Sequence, residues 1–213
     1  EEQNRVLIDH LSELCFAPTD SAVSHLMREG IADERIVRTG DVMADAARMF
    51  GEEAEQRANE LMMSAGLQAM AGANQSFVLS TIHRAENTDD PARLEAILKA
   101  LATVAIKGVD GHDPCPVLLP LHPRTKARID SYKLEHFLEP LTLTPPLGFM
   151  AMVLLERQAS LVVTDSGGVQ KEAFLQGTPC VTVRTETEWV ELLECGWNRL
   201  ADPSDTLGIL KAM

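Results

Sequence analysis

Residues 162–181 read VVTDSGGVQKEAFLQGTPCV, and the chemistry starts where the apolar run stops at Asp165. Ser166, Gly167 and Gly168 lead directly into a helical pattern. Glycine lets another group approach the main chain. A helix N-terminus carries unpaired N–H groups and partial positive charge. Ser166 Oγ and the amides that follow can therefore seat an anion such as a pyrophosphate, while a plain strand-to-helix turn accounts for the same residues. Glu172 comes six residues after Ser166, between one and two helical turns further on. Its carboxylate either accepts hydrogen bonds from two vicinal hydroxyls, as on a ribose, or faces solvent. Lys171 beside it reads as solvent-facing. Trp189 and Trp197 read either as stacking on a base or as packing.

Three further polar clusters accompany this one. His83, Arg84, Glu86 and Asn87 follow the apolar run SFVLSTI; His122, Pro123, Arg124 and Thr125 follow PVLLPL; Arg184, Glu186, Thr187 and Glu188 follow PCVTV. His83, if protonated, can add charge beside a leaving phosphate oxygen.

These clusters need a scaffold, and residues 72–213 supply the pattern of one. Apolar runs at 76–82, 116–121, 141–147, 160–166 and 179–184 alternate with helical stretches, and NRLAD and SDTLGILKAM continue the alternation. Pro91 opens a helix with Leu94, Ile97, Leu98 and Leu101 on one face. Such alternation predicts a parallel sheet with helices on both faces. In sheets of this kind ligands bind beyond the carboxyl ends of the strands, which is where all four clusters fall. The first residues differ: a helix, a short strand near ELCFAP, a helix capped by Thr19 or Asp20, and a strand at RIVRTGD. A long polar helix, ADAARMFGEEAEQRANELMMSAG, and a linker, GANQS, follow. Residues 1–43 thus read as the end of one α/β domain, 44–71 as an interdomain helix and linker, and 72–213 as most of a second. Two or three strands do not make an α/β domain, so an upstream part is expected.

The chain has 213 residues, 45% hydrophobic and 24% charged, with a formal net charge of −13. That balance fits a globular protein. It shows no basic cluster suited to nucleic acid, so an anionic ligand must be held locally. No apolar run reaches the roughly 20 residues of a membrane span. Cys15, Cys115, Cys180 and Cys195 have neither metal-ligand nor disulfide-framework spacing, and are expected to be reduced thiols of a cytoplasmic protein.

TDSGGVQKEAFLQGTPCVTVR and TEWVELLECGWNRL, with STIHRAEN, LHPRT and EEQNRVLIDHLS, resemble the non-hydrolysing UDP-N-acetylglucosamine 2-epimerases in the same order over residues 1–202. The resemblance implies the GT-B architecture, two Rossmann-like domains with the substrate between them, the first only partly present here. It implies interconversion of UDP-GlcNAc and UDP-ManNAc by elimination and re-addition of UDP, with inversion at C2. It implies no metal or redox cofactor, a UDP-sugar as ligand, no nucleic-acid or membrane partner, and a homodimer when full length. Carried over by position, Ser166, Gly167 and Gly168 match the phosphate site and Glu172 the ribose-binding glutamate. His83 matches the histidine near the diphosphate. Glu1 matches a catalytic acid, with Glu2 and Arg5 in its motif. Arg84, a substrate-binding position, and His122 also match contacts of an allosteric UDP-GlcNAc site. Other catalytic residues of the family lie upstream of Glu1, so the chain alone is expected to be inactive. HPRT and TEWVE also occur in relatives that act on diacetamido-uronates. A GT-B glycosyltransferase and a non-catalytic nucleotide-sugar sensor are the competing readings.

Overall fold

The computed structural model describes residues 2–68, 76–109 and 113–213. Glu1 and most of the GANQS linker lie outside them. The chain divides into two compact units, Glu1–Ala46 and Ala47–Met213.

The first unit contains α1 (Glu2–Leu11), β1 (Cys15–Ala17), α2 (Asp20–Arg28) and β2 (Ile36–Arg38). The two strands pair in parallel, with Cys15, Ala17, Leu26 and Ile31 as their small core. Thr19 caps α2 by accepting from the Ala22 amide at 3.1 Å. Arg5 is tied to Asp9 at 2.6 Å and to Glu29 at 2.5 Å. The long polar helix predicted across 44–66 is two helices, α3 (Val42–Gln56) and α4 (Ala58–Ser64). Arg57 leaves helical geometry between them (φ −102°, ψ 14°), and α4 buries Leu61 and Met62.

The second unit is built on a six-stranded sheet, all parallel. Its strands in chain order are β3 (Val78–Thr81), β4 (Val117–Pro120), β5 (Thr142–Thr144), β6 (Leu161–Thr164), β7 (Cys180–Thr182) and β8 (Asn198–Leu200). In space they run β5-β4-β3-β6-β7-β8. Chain order therefore reverses between β3 and β6, the switch point at which such sheets open a crevice. The helices between them are α5 (Ala85–Thr88), α6 (Pro91–Lys107), α7 (Pro123–Tyr132), α8 (Phe149–Gln158), α9 (Gly167–Gln176), α10 (Val190–Glu194) and α11 (Thr206–Ala212). Short α5 lies within HRAENTDD, the polar stretch that follows β3; its carboxyl end hydrogen-bonds back to Arg84 and Ala85 carbonyls.

Strand geometry explains the apolar runs. Successive side chains point to opposite faces, so a strand covered on both sides needs no polar alternation. Val78, Val117, Leu119, Val163 and Val181 enter the core beneath α6, α7 and α11. Their neighbours Leu79, Leu118, Val162 and Cys180 enter the opposite core with residues of α4, α8 and α9. No helix among the described residues is long and apolar enough to cross a membrane.

The largest helix over the first core, α6, is started by Asp90, whose carboxylate accepts from the Ala92 and Arg93 amides at 2.9 and 3.2 Å. Asp90→Ala should lower unfolding free energy by about 0.5–2 kcal/mol, and Asp90→Asn should recover most of it, as read by denaturant titration.

Candidate functional site

Each strand's carboxyl end delivers one polar cluster. Thr81 and Thr164, paired in register on β3 and β6, join through their hydroxyls at 2.7 Å. Beyond them the two chains separate, and Asp165 fills the gap. Its carboxylate is fully buried. It accepts from the His83 amide at 3.1 and 3.2 Å, the Arg84 amide at 3.0 Å and Asn87 Nδ2 at 3.1 Å. Asn87 Nδ2 also donates to the Val183 carbonyl at 3.0 Å, which brings in the end of β7. A buried carboxylate is tolerated when donors replace its water, and here two of them are backbone.

That clasp sets the position of His83. The ring is exposed on one side, with Nδ1 3.8 Å from Asp165 Oδ1. The His122 ring lies 6.1 Å away, centroid to centroid, where its Nδ1 caps α7 by accepting from the Arg124 amide. Thr125 on α7 donates to the Ile82 carbonyl at 2.6 Å, so the second loop is anchored to the first. His83, Arg84 and His122 therefore occupy one rim.

The opposite rim is the start of α9. Ser166 caps the helix, with Oγ 3.4 Å from the Val169 amide. Gly167 and Gly168 form its first turn, where amides lack acceptors within the helix. A Cβ on Gly167 would meet Glu188 Oε1 and lie 3.7 Å from Arg84 Nη2, so a side chain there would push the Glu188 carboxylate aside. At Gly168 only Ser166 Oγ comes near, at 3.9 Å, and nothing in the fold demands glycine. Glu188 is held by Arg184 at 2.7 Å and lies 3.9 Å from Arg84. Burial opposes its ionisation, but its backbone hydrogen bond and the two guanidiniums outweigh burial, so its carboxyl titrates below the ordinary value. Arg184 is buried, and its Nε has no hydrogen-bond partner among the described residues.

Behind this rim, buried Gln170 on α9 is a hub. Its carbonyl oxygen accepts from Thr187 at 2.6 Å, Asn198 at 2.9 Å and Thr182 at 3.4 Å. Lys171 is not solvent-facing as its sequence context predicts. It is buried, with Nζ 3.8 Å from the Trp189 ring centroid. Trp189 in turn donates from its indole to the Gly167 carbonyl at 2.8 Å, and Trp197 donates to Thr178 at 2.9 Å and meets Phe174 edge-on. Both tryptophans pack. Glu172 is half-buried on α9 and faces Glu156 of α8; burial raises its pKa, and the bond from Glu156 opposes the rise. Glu156 is fully buried, and that burial, followed by the charge and hydrogen bond of Glu172, pushes its carboxyl up to about 9.

His83, Arg84, His122, Ser166, Gly167, Gly168 and Glu172 thus all fall on the carboxyl side of one sheet or on α9, and Glu1 lies outside the described residues. Asp165, Asn87, Gln170, Glu156 and Glu188 were not singled out for the parts they play. The available signal was an Asp at the end of an apolar strand.

The family model described as UDP-N-acetylglucosamine 2-epimerase matches residues 1–213. A UDP-2,3-diacetamido-2,3-dideoxy-D-glucuronate 2-epimerase of Pseudomonas aeruginosa is 45% identical over 202 residues, 94% of this chain and 51% of that protein. A UDP-N-acetylglucosamine 2-epimerase of Methanococcus maripaludis is 36% identical over 218 residues, 100% of this chain and 57% of that protein. The solved structure of the Methanocaldococcus jannaschii UDP-GlcNAc 2-epimerase in complex with UDP-GlcNAc and UDP superposes with a TM-score of 0.85 at 34% identity, covering 100% of this chain and 56% of that one. The chain spans about half the length of the relatives it matches.

Two outcomes follow from the geometry. Asp165→Asn would turn an amide N–H₂ toward donors, and should cost at least about 2 kcal/mol of stability and speed hydrogen exchange at the His83 and Arg84 amides. For Glu156, the folded chain retains a proton that the unfolded chain releases above about pH 4.5. Its contribution to stability is therefore full below about 4.5 and is lost as pH rises toward about 9. Glu156→Gln should flatten that decline in a series of melting temperatures.

Proposed function

The chain belongs to the UDP-N-acetylglucosamine 2-epimerase family, with an α/β fold of the GT-B type, and on that premise we propose that it carries the nucleotide-binding half of a UDP-sugar 2-epimerase. The observation that carries this reading is the Asp165 clasp, which fixes His83 and Arg84 beside the first turn of α9. An anion placed there meets helix amides on one side and a histidine and an arginine on the other.

The proposed reaction eliminates UDP from the sugar. The C1–O bond breaks, its electron pair leaves with UDP, a base takes the proton from C2, and the electrons of that C–H bond form the double bond between C1 and C2. Return of UDP to C1 and delivery of a proton to the other face of C2 give the epimer. Ser166 Oγ and the Gly167 and Gly168 amides hold the diphosphate, and protonated His83 offsets the charge that grows on the leaving oxygen. Glu172 accepts from the ribose hydroxyls. Glu1 is assigned proton work at C2, together with residues of a preceding domain. The resemblance adds Arg84 and His122 as contacts of a second, activating nucleotide sugar and a homodimeric full-length protein, and the cysteine pattern adds a cytoplasmic location.

The sugar itself has two candidates. UDP-GlcNAc is favoured by the family model and the archaeal relatives, and the diacetamido-glucuronate by the P. aeruginosa relative. Both are tested by incubating the full-length protein with each UDP-sugar in deuterated water. Deuterium should enter C2 of one of them, whereas a glycosyltransferase or a sensor leaves C2 unlabelled. In the same assay His83→Asn should lower kcat about 100-fold with little change in KM, the pattern of an interaction made mainly in the transition state. A normal kcat with a raised KM would leave His83 as an ordinary binding group.

A further inference from the structure

Glu156 is out of place by the rules that govern the rest of α8. The helix buries Ala151, Val153, Leu154 and Leu155, and then a carboxyl with no exposed surface. No amide, hydroxyl or cation hydrogen-bonds either of its oxygens. What meets it is a second carboxyl, Glu172 of the packed helix α9, whose charge helps to hold the Glu156 carboxyl up. Two carboxylates offer only acceptors to each other and repel, so the contact requires one proton between them. A leucine or methionine would fill this space without the cost of burying a polar group.

The surroundings settle where that proton sits. From α9, Glu172 faces the group; from β7, Cys180 does, its thiol pushed up to about 12 by burial and so neutral. From α4, Leu61 and Met62 bring apolar surface to this core. Arg157, the next residue on α8, turns instead to Glu55 at 3.4 Å and Gln176 at 3.5 Å. Glu156 is the more deeply buried partner, so it keeps the proton, and Glu172 at the rim keeps the charge.

We propose that Glu156 is a positioning residue for the nucleotide: as a neutral acid it donates a hydrogen bond to Glu172 and holds that carboxylate in the orientation that accepts the ribose hydroxyls. The inference rests on the reading of Glu172 as the ribose acceptor. The fixed bond uses one lone pair of Glu172 and leaves the others for the ligand. It also prevents the side chain from turning away along the helix when no ligand is present, which lowers the ordering cost of binding.

The test is UDP affinity by calorimetry on this chain as wild type, Glu156→Gln, Glu156→Leu and Glu172→Gln, from about pH 7 to about pH 10, a range that brackets the raised carboxyl. Glu156→Gln keeps a donor toward Glu172 and should bind UDP like wild type at pH 7. Glu156→Leu should bind about tenfold more weakly, the effect of losing one hydrogen bond to a charged group. Above about pH 9 the wild-type pair loses its proton and its affinity should fall further than that of Glu156→Gln. The uracil of the ligand also deprotonates in alkaline solution, so the readout is the difference between those two proteins. That difference does not need Glu156→Leu to fold. Parallel pH profiles for wild type and Glu156→Gln would overturn the proposal, as would unchanged affinity in a folded Glu156→Leu. Glu172→Gln separates the two layers: if it binds UDP like wild type, the ribose reading falls and this inference falls with it; if it binds weakly while the Glu156 variants behave as wild type, only this inference falls.

Discussion

The second unit is organised around one buried negative charge. Asp165 stands where the order of the sheet reverses, and its two oxygens take the main-chain amides of His83 and Arg84 and the side chain of Asn87. Parallel strands that diverge at their ends leave amides without partners. A short acid at that point supplies acceptors from inside the protein, next to the pair joined by Thr81 and Thr164. The histidine that could act on a ligand is thereby fixed through its own backbone. Its ring remains available because the acid spends its bonds on two main-chain amides and the side chain of Asn87.

Charge balance on the opposite rim follows a related logic. The start of α9 has positive character, Arg84 and Arg184 add to it, and Glu188 sits among them above Gly167. An acidic protein cannot draw anions with its overall field, so attraction has to be local and short-ranged. Glu188 tempers this pocket of cations. The glycine that the sequence suggests for close approach does serve one, but the approaching group in this structure is a carboxylate of the same chain.

Much of the architecture was legible because it rests on local patterns. The apolar runs became strands, Pro91 opened α6, and Thr19, one of the two residues expected to cap α2, does so. The polar clusters fell together because a parallel sheet gathers strand ends on one side. Other features depend on partners distant in sequence, and no window of residues carries them. Lys171 next to Glu172 looks like surface until Trp189, on a later loop, covers it. Glu156 looks like the polar end of an apolar helix until α9 places a second acid against it. Gln170 reads as an ordinary helix residue, yet it gathers hydroxyl and amide groups from β7, β8 and the loop between. The break at Arg57 was hidden for another reason: its neighbours are good helix formers, and the burial of Leu61 and Met62 decides the matter.

The central pairing of β3 with β6 has a consequence for how the molecule comes to exist. These neighbours are 82 residues apart where His83 meets Asp165, with β4, β5 and three longer helices threaded between. Local helices can form early, but the contact that builds the crevice must wait for the closure of that long intervening loop. The crevice between β3 and β6 is then among the last parts of the sheet to acquire its native neighbours. A chain emerging from synthesis would display the HRAEN segment well before the acid that tethers it, so the interval between the two is when β3 stands with one edge unpaired and open to wrong partners.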